Sequence, residues 1–253
     1  MTPSKDRKAL LELAKVAAAA AGKYLAGHKT SIIVEENRRD VKLDADRAAE
    51  ELIVKTLQVS TAFPILTEEM GWIGKAAVED FRWIVDPLDG TVNFLRGIPL
   101  SCVSVALWKD NEPVLGVIHD FARQEVFYGI AGEAAWLGDT KIVVSGTRNA
   151  KDSILFTGFP VGGDFSSEAI HRFINQVIRY KKIRSVGSAA LALAYVASGR
   201  GDLYYERDVK IWDVAAGLAI VKAAGGSITI EPSEKLHCVT AWAGNPHLEH
   251  HFD

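Results

Sequence analysis

The stretch between residues 101 and 144 constrains the fold most, because it repeats apolar runs at short intervals. Four runs rich in β-branched and aromatic residues follow one another with short polar segments between them: SCVSVALWKD, EPVLGVIHD, QEVFYGIAG and AAWLG. Runs of this length with short connections pair with the run before and the run after. The stretch therefore predicts an antiparallel meander sheet in the N-terminal half of the chain.

The rest of the chain mixes strands with helices. After residue 150, strands are predicted at 153–158, 182–186, 202–206, 227–230 and 238–243, and helices at 166–180, 188–198 and 212–224. Before the meander, the pattern predicts helices at 4–26 and 44–59 and short strands at 63–67 and 81–86. Sheets with helices on their faces imply a layered sandwich. The polar segment 145–152 is the best internal boundary, so we expect an α+β half at 1–148 and a mixed α/β half at 149–253.

Composition narrows the class of protein. A chain of 253 residues with 48% hydrophobic and 24% charged residues is long enough for a substantial core and typical of globular proteins. A net charge of −3 gives no strong field for nucleic acid or anionic lipid, and neither is expected as a partner. No apolar run long enough to span a membrane and no signal peptide is found. Cys102 and Cys238 lie in apolar runs and are interpreted as buried thiols, so a cytoplasmic location is expected.

The octet DPLDGTVN at 86–93 places two aspartates three residues apart at the end of a strand-like run. Gly90 permits a tight reversal, and a short helix can begin at Thr91 with its N–H groups open to an anion. Asp86 and Asp89 would repel each other and that anion, and cations between them remove the conflict. A turn capped by one aspartate is the plain alternative, and it leaves the second carboxylate unexplained.

Three other carboxylates stand at the ends of predicted elements. Glu68 follows the strand FPILT, Asp46 stands near the start of the helix in LDADRAAEE, and Asp213 opens the helix WDVAAG. Each has an ordinary alternative role, as solvated charge for Glu68 and as a helix cap for Asp46 and Asp213. The small residues after Asp213 allow close approach of another element, which would place this carboxylate in a packed centre.

Other catalytic arrangements fit less well. An aspartyl-nucleophile phosphatase usually has one residue between its two aspartates, whereas two residues lie between Asp86 and Asp89, which are three positions apart. No Ser/His/Asp, Cys/His or phosphate-loop pattern competes. His119, with the C-terminal His247, His250 and His251, is interpreted as a surface or loop histidine.

The sequence resembles the inositol monophosphatase family of metal-dependent, lithium-sensitive phosphatases over nearly its whole length. The blocks WIVDPLDGTVNF and WDVAAGLAIVKAAGG match the two signature blocks of that family, with LDADRAAEE, ILTEEMG and RSVGSAALALAYVASGRGDLYYE in the expected order. The resemblance implies a layered α-β-α-β-α sandwich and a homodimer. It also implies one catalytic unit in which the half at 1–148 carries most metal ligands.

The resemblance assigns roles residue by residue. The metal ligands would be Glu68, Asp86, the backbone carbonyl of Leu88, Asp89 and Asp213. Gly90 and Thr91 would present backbone N–H groups to the phosphate, and Asp46 would partner the Thr91 hydroxyl and help polarise the attacking water. Asp46, Thr91 and Glu68 would thus be the catalytic residues. The substrate side would be formed by Gly90, Thr91, Gly187, Ser188, Ala189, Glu206 and Asp213.

The sequence departs from the family pattern at three places. Lys42-Leu43 replaces the usual Val-Thr, Glu35 stands where many members carry lysine, and Ala192 stands where many bacterial members carry aspartate. The first two departures would affect the binding of a third metal ion, and the last would affect the pocket for the alcohol part of the substrate.

The expected function is hydrolysis of a small phosphorylated polyol with two or three Mg²⁺ ions. Water would attack in line, without a phospho-enzyme. Inositol 1-phosphate is the first choice of substrate, while fructose 1,6-bisphosphate, histidinol phosphate and phosphoadenosine phosphate stay open. A different class of function is a regulatory protein-binding role, since bacterial relatives can act as RNA-polymerase-associated factors.

Overall fold

Two β-sheets alternate with layers of helices in the computed structural model, which describes residues 3–28, 33–36, 41–75, 81–159 and 165–248. The helices are α1 (Pro3–Gly27), α2 (Asp44–Ser60), α3 (Thr91–Leu95), α4 (Ser167–Val177), α5 (Ala189–Ala197) and α6 (Ile211–Ala223). The strands of the first half are β1 (Ile33–Glu36), β2 (Val41–Leu43), β3 (Ile65–Thr67), β4 (Gly71–Ile73), β5 (Arg82–Asp89), β6 (Cys102–Lys109), β7 (Glu112–Asp120), β8 (Glu125–Ile130), β9 (Ala134–Leu137) and β10 (Thr140–Ile142). Those of the second half are β11 (Ile154–Thr157), β12 (Lys182–Arg184), β13 (Leu203–Lys210), β14 (Ser227–Pro232) and β15 (Cys238–Gly244).

The predicted meander is confirmed. Strands β6 to β10 pair in sequence order, each antiparallel to the next, because short turns join them, and β5 pairs antiparallel with β6. The sheet is longer than the meander, with the order β10-β9-β8-β7-β6-β5-β3-β4. Strand β3 pairs parallel with β5 on one side and antiparallel with β4 on the other.

The second sheet is mixed, as the alternation of strands and helices predicts. Its order is β12-β11-β13-β15-β14. Strand β11 is parallel to both β12 and β13, and a helix lies between these strands in sequence, as parallel pairing requires. Strands β13, β15 and β14 pair antiparallel.

The layers follow the order α-β-α-β-α, which confirms the predicted architecture. Helices α1 and α2 cover one face of the eight-stranded sheet, and α5 and α6 lie between the two sheets. On the far side of the second sheet, Val177 at the end of α4 packs with Leu155, Leu203 and Trp242. The buried, nearly all-apolar α6 is the central element, since it contacts strands of both sheets.

Small residues allow this central packing. Gly116 on β7 lies directly against the Ala216 backbone, so a side chain there would collide with α6. Gly217 is in equally close contact with the Leu193 side chain on α5. The last strand of the first sheet ends at Ile142, and the first strand of the second sheet begins at Ile154. Helix α6 belongs to the second half of the chain but packs on the first sheet, so the two halves share a core.

Some local features differ from the sequence-based expectations. The hairpin β1–β2 and the short strand β4 were not predicted. The interpretation of His119 as a surface residue is wrong, because His119 lies on β7, is buried and donates from Nδ1 to the Ala18 carbonyl at 3.2 Å. His247 is exposed as expected, whereas His250 and His251 lie outside the described residues. Cys102 and Cys238 are buried thiols, as predicted.

Within the described part of the chain, no helix combines the length and the apolar character needed to cross a membrane.

Candidate functional site

A bulge at the end of β5 places Asp86 and Asp89 on the same side of the sheet. In a regular strand, residues three positions apart face opposite sides. Here Asp86 pairs with Ser104 and Asp89 with Cys102, so β5 uses one more residue than β6 between the two pairs. The extra residue turns the second carboxylate back to the first side. Both residues are buried, with 1% and 8% of their surface exposed.

The chain reverses immediately after the bulge. Gly90 adopts φ +87°, a left-handed conformation that favours glycine, and α3 begins at Thr91. The hydroxyl of Thr91 donates to the carbonyl of Leu88 at 3.0 Å. The backbone N–H groups at the start of α3 therefore lie next to the two aspartates, as predicted from the octet.

Asp89 is held by the start of α5. Its Oδ2 accepts hydrogen bonds from the Ser188 hydroxyl at 2.6 Å and from the Ala190 N–H at 2.7 Å. Ser188 is the N-cap of α5 and accepts from the Leu191 N–H at 3.2 Å. Despite these bonds, burial raises the pKa of Asp89 to about 6.

The other two aspartates of the cluster are perturbed in the same direction. Burial raises the pKa of Asp86 well above its ordinary value, and the charges of Glu68, Asp89 and Asp213 raise it further. Desolvation raises the pKa of Asp213 in the same way, with added repulsion from Asp89 and Glu68. Four carboxyl groups from three separate parts of the chain thus repel one another. The hydrogen-bond donors around them do not offset this concentration of negative charge.

Asp213 reaches this cluster from the central helix. Helix α6 begins at Ile211 after Lys210, so Asp213 is its third residue and not its cap. The alternative reading of Asp213 as a simple N-cap is therefore wrong. The close packing of the following small residues positions the start of α6 beside β5 and β6, as the sequence pattern predicts.

Glu68 lies in the turn between β3 and β4, and a second glutamate orients this turn. Glu50 on α2 is fully buried and accepts from the backbone N–H groups of Glu69 and Met70, each at 3.0 Å. Burial raises the pKa of Glu50. Sequence reasoning missed Glu50, although it lies four residues after Asp46 and so on the same face of the helix.

Asp46 is buried near the start of α2, where its Oδ2 accepts from the Leu43 N–H at 2.7 Å. It is the N3 residue of α2, and its bond to the N-cap backbone helps to cap the helix, which is close to the ordinary role considered for it. The hydrogen bonds described above for Asp46 and Thr91 reach Leu43 and Leu88 respectively. The partnership of Asp46 with the Thr91 hydroxyl therefore stays a prediction.

The predicted substrate-side residues occupy two neighbouring places. Gly187 and Ala189 flank Ser188 at the start of α5, and the Ser188 hydroxyl is buried against Asp89. Glu206 lies on β13, where burial raises its pKa to about 7 and a hydrogen bond from Tyr204 lowers it. The Tyr204 hydroxyl donates to Glu206 Oε2 at 3.0 Å. Sequence reasoning missed this tyrosine, which lies two residues before Glu206 on the same side of the strand.

The donor set fits Mg²⁺ chemically. Carboxylates and one backbone carbonyl are the hard oxygen ligands that this ion prefers, and the repulsion among Asp86, Asp89 and Asp213 is what a divalent cation relieves. Among the described residues, no three His, Cys, Asp or Glu side chains converge closely enough to hold a metal ion together. Mg²⁺ keeps several waters, which can complete its coordination where few side chains converge.

Two of the three departures from the family pattern concern the region before α2. The side chains of Glu35 and Lys42 lie outside the described part of the structure, so their effect on a third metal stays a prediction. Ala192 is buried on α5 within the core between the two sheets.

Comparison with known proteins supplies independent findings. A sequence profile described as "Inositol monophosphatase family" matches residues 4–244. The "Nus factor SuhB" of Xylella fastidiosa is 40% identical over 84% of this chain and 78% of that protein. The "Inositol-1-monophosphatase" of Mesorhizobium japonicum is 37% identical over 88% of this chain and 86% of that protein. The solved structure of the extragenic suppressor protein suhB from Bartonella henselae has a TM-score of 0.82 at 35% identity and covers 94% of this chain and 95% of that chain.

Proposed function

The chain belongs to the inositol monophosphatase family, and we propose that it is a Mg²⁺-dependent hydrolase of small polyol phosphates, with inositol 1-phosphate as the first substrate. The observation that carries this proposal is the cluster of Asp86, Asp89 and Asp213 beside the start of α3, in which desolvation, with added repulsion among the carboxylates, raises the pKa values of Asp86 and Asp213. A cluster of this kind favours cations, and cations beside open N–H groups favour a phosphate.

The metal ligands in this proposal are those given by the family resemblance. Glu68, Asp86 and the Leu88 carbonyl would hold one ion, with Asp86 shared, and Asp89 and Asp213 would hold the second. When bound, Mg²⁺ neutralises the charge of a phosphate monoester, generates a nucleophile from water and stabilises the leaving oxygen. The number of ions, two or three, is part of the proposal.

The remaining residues bind and orient the reactants. The backbone N–H groups of Gly90 and Thr91 would hold the phosphate, and the segment 187–189 with Glu206 would face the alcohol. The Thr91 hydroxyl and Asp46 would orient the attacking water and accept its proton. Glu206 is half-buried, and desolvation raises its pKa to about 7, which supports a role in selection, because a desolvated polar group that is matched to a substrate hydroxyl discriminates against analogues without it.

The test is phosphate release from four compounds in the presence of Mg²⁺: inositol 1-phosphate, fructose 1,6-bisphosphate, histidinol phosphate and phosphoadenosine phosphate. We expect turnover of inositol 1-phosphate, loss of turnover after exhaustive chelation, and inhibition by lithium at matched ionic strength. Preference for one of the other three compounds would keep the hydrolase and change the substrate. Full turnover without Mg²⁺ would contradict the proposed metal site.

A regulatory protein-binding role is the second candidate, and the name "Nus factor SuhB" of a relative that is 40% identical favours it. Co-elution of this protein with purified bacterial RNA polymerase tests it. An Asp89→Asn variant separates the two roles, because it should lose hydrolysis and keep any such binding. Hydrolysis of none of the four compounds, together with co-elution, would support the regulatory role. A homodimer is the expected assembly in either case, and sedimentation analysis checks it.

A further inference from the structure

The octet at 86–93 contains one polar side chain, Asn93, to which the proposed chemistry gives no role. Its Nδ2 donates to the Leu100 carbonyl and to the Val186 carbonyl, both at 2.8 Å, and the Gly187 carbonyl lies at 3.3 Å. All three neighbours are acceptors, so the amide nitrogen and not the amide oxygen faces them. One side chain on α3 thus joins segments that are 93 residues apart in sequence.

The two segments approach each other through glycines. Gly187 has φ +70°, and a Cβ there would lie 2.9 Å from Asn93 Nδ2. Gly90 has φ +87°, and a Cβ there would lie 2.6 Å from the Leu100 carbonyl and 3.2 Å from the Gly187 carbonyl. Larger residues at either glycine would push the segments apart. The spacing between the start of α3 and the segment 186–189 is therefore short, and the Asn93 amide bridges it.

We propose that Asn93 is a positioning residue that fixes the start of α3 relative to the segment 186–189. It thereby sets the distance between the residues that would bind the phosphate (the phosphate side) and those that would face the alcohol (the alcohol side). This inference rests on the proposed function, in which Gly90 and Thr91 hold the phosphate and Gly187 and Ala189 face the alcohol. Asn93 touches no reacting atom. Its effect is on the distance between two binding regions that come from the two halves of the chain.

The consequence differs for ligands that use one side or both sides. Inorganic phosphate needs only the start of α3 and the metal ligands. A polyol phosphate needs the phosphate side and the alcohol side at the correct separation, because orientation of the bound substrate depends on both. Loss of the Asn93 amide should therefore weaken binding of the polyol phosphate far more than binding of inorganic phosphate.

The first experiment compares Asn93→Ala with the wild-type protein in KM for inositol 1-phosphate and in Ki for inorganic phosphate as a competitive inhibitor. Two hydrogen bonds of ordinary strength are lost, so KM should rise about tenfold or more while Ki changes less than about threefold. An equal rise of KM and Ki, or no change in either, would overturn the proposal.

The isosteric variant Asn93→Asp separates positioning from space filling. It keeps the shape of the side chain but places a carboxylate oxygen against carbonyl oxygens. KM should then rise more than in Asn93→Ala, since the contact becomes repulsive. If Asn93→Asp behaved like the wild-type protein, the side chain would only fill space and the proposal would fail.

Asn245 provides the control. It is a fully buried asparagine whose Nδ2, like that of the half-buried Asn93, joins other segments, donating to the Thr147 carbonyl at 2.6 Å and to the Ser145 hydroxyl at 3.1 Å. Asn245→Ala should lower the thermal stability of the protein without changing the ratio of KM to Ki. A change of this ratio equal to that in Asn93→Ala would show a general effect of destabilisation.

Amide hydrogen exchange tests the bridge without any turnover. In Asn93→Ala, amides at 186–190 should exchange faster than in the wild-type protein, whereas in Asn245→Ala the increase should fall near 145–149. If the wild-type protein hydrolyses none of the four compounds, the proposed function fails, and the exchange data still decide on the bridge. Unchanged exchange at 186–190 in Asn93→Ala would refute the bridge itself.

Discussion

Replacement of Asp89 by asparagine should stabilise the metal-free protein at alkaline pH, although it removes a proposed metal ligand. Asp89 is buried, and its pKa is raised from 3.8 to about 6 in the folded protein. The folded state therefore holds this proton more tightly than the unfolded state. The stability that results is fully present below pH 3.8 and is lost as the pH rises through about 6.

The size of the effect follows from the shift. The difference between 3.8 and about 6 corresponds to about 3 kcal/mol, of which about 2 kcal/mol develops between pH 4 and pH 8. For a chain of 253 residues this equals about 4–8 °C in melting temperature. The difference in melting temperature between Asp89→Asn and the wild-type protein should therefore be about 4–8 °C more favourable to the variant at pH 8 than at pH 4. Relief of the repulsion on Asp213 adds to the gain with the same sign.

The melting temperatures of Asp89→Asn and of the wild-type protein, each measured in a chelator at pH 4 and at pH 8, test this expectation. Asp139→Asn is the control, because Asp139 is exposed in the turn between β9 and β10 and its loss changes the net charge equally. Added Mg²⁺ should raise the melting temperature of the wild-type protein at pH 8 and that of Asp89→Asn much less. If the melting temperatures of Asp89→Asn, Asp139→Asn and the wild-type protein all changed with pH in the same way, burial of the Asp89 charge would not be the cause of the pH-dependent stability.

Four other single variants test the proposed roles. Thr91→Ala and Asp46→Asn should each lower kcat by about 10²–10⁴, with the Mg²⁺ requirement unchanged and the double mutant little worse, because the two would act as a unit; additive losses would contradict this. Glu206→Gln should change the ranking of polyol phosphates more than kcat for the best one, which parallel kinetics on all four compounds would show. Glu50→Gln should weaken Mg²⁺ activation, because it disturbs the turn that carries a metal ligand, whereas the exposed neighbour in Glu51→Gln should not; Mg²⁺ titrations distinguish the two.

The parts of the fold that the sequence predicted well are those set by local patterns. Strands β6 and β7 consist mostly of buried apolar residues and are joined by a short turn, and this pattern indicates an antiparallel pair. Helix α6 was predicted within one residue at each end because an apolar run of helical length is bounded by Gly225 and Gly226. The octet also indicated an acidic site, since two carboxylates at one strand end are not needed for a turn.

The details that the sequence did not predict depend on contacts between distant segments. The bulge that turns Asp89 towards Asp86 exists only because β6 pairs with β5 in a particular register. The Ser188 hydroxyl was assigned to the substrate side, but its position against Asp89 depends on how α5 packs between the sheets. The sequence predicts His119 at the surface or in a loop and assigns no role to Glu50. Both are buried, and both form hydrogen bonds with distant backbone groups that the sequence pattern does not indicate.

The segment 186–190 connects these observations to the proposed chemistry. It donates two hydrogen bonds to Asp89 through Ser188 and Ala190, and it accepts from Asn93 through the Val186 carbonyl. The same short stretch therefore holds a proposed metal ligand and the helix that would receive the phosphate. Because it leads directly into α5, which is packed between the two sheets, its position is fixed by the core. The repulsion among the carboxylates would move a loosely held loop, and attachment of this stretch to the core explains how the acidic cluster keeps its arrangement before cations bind.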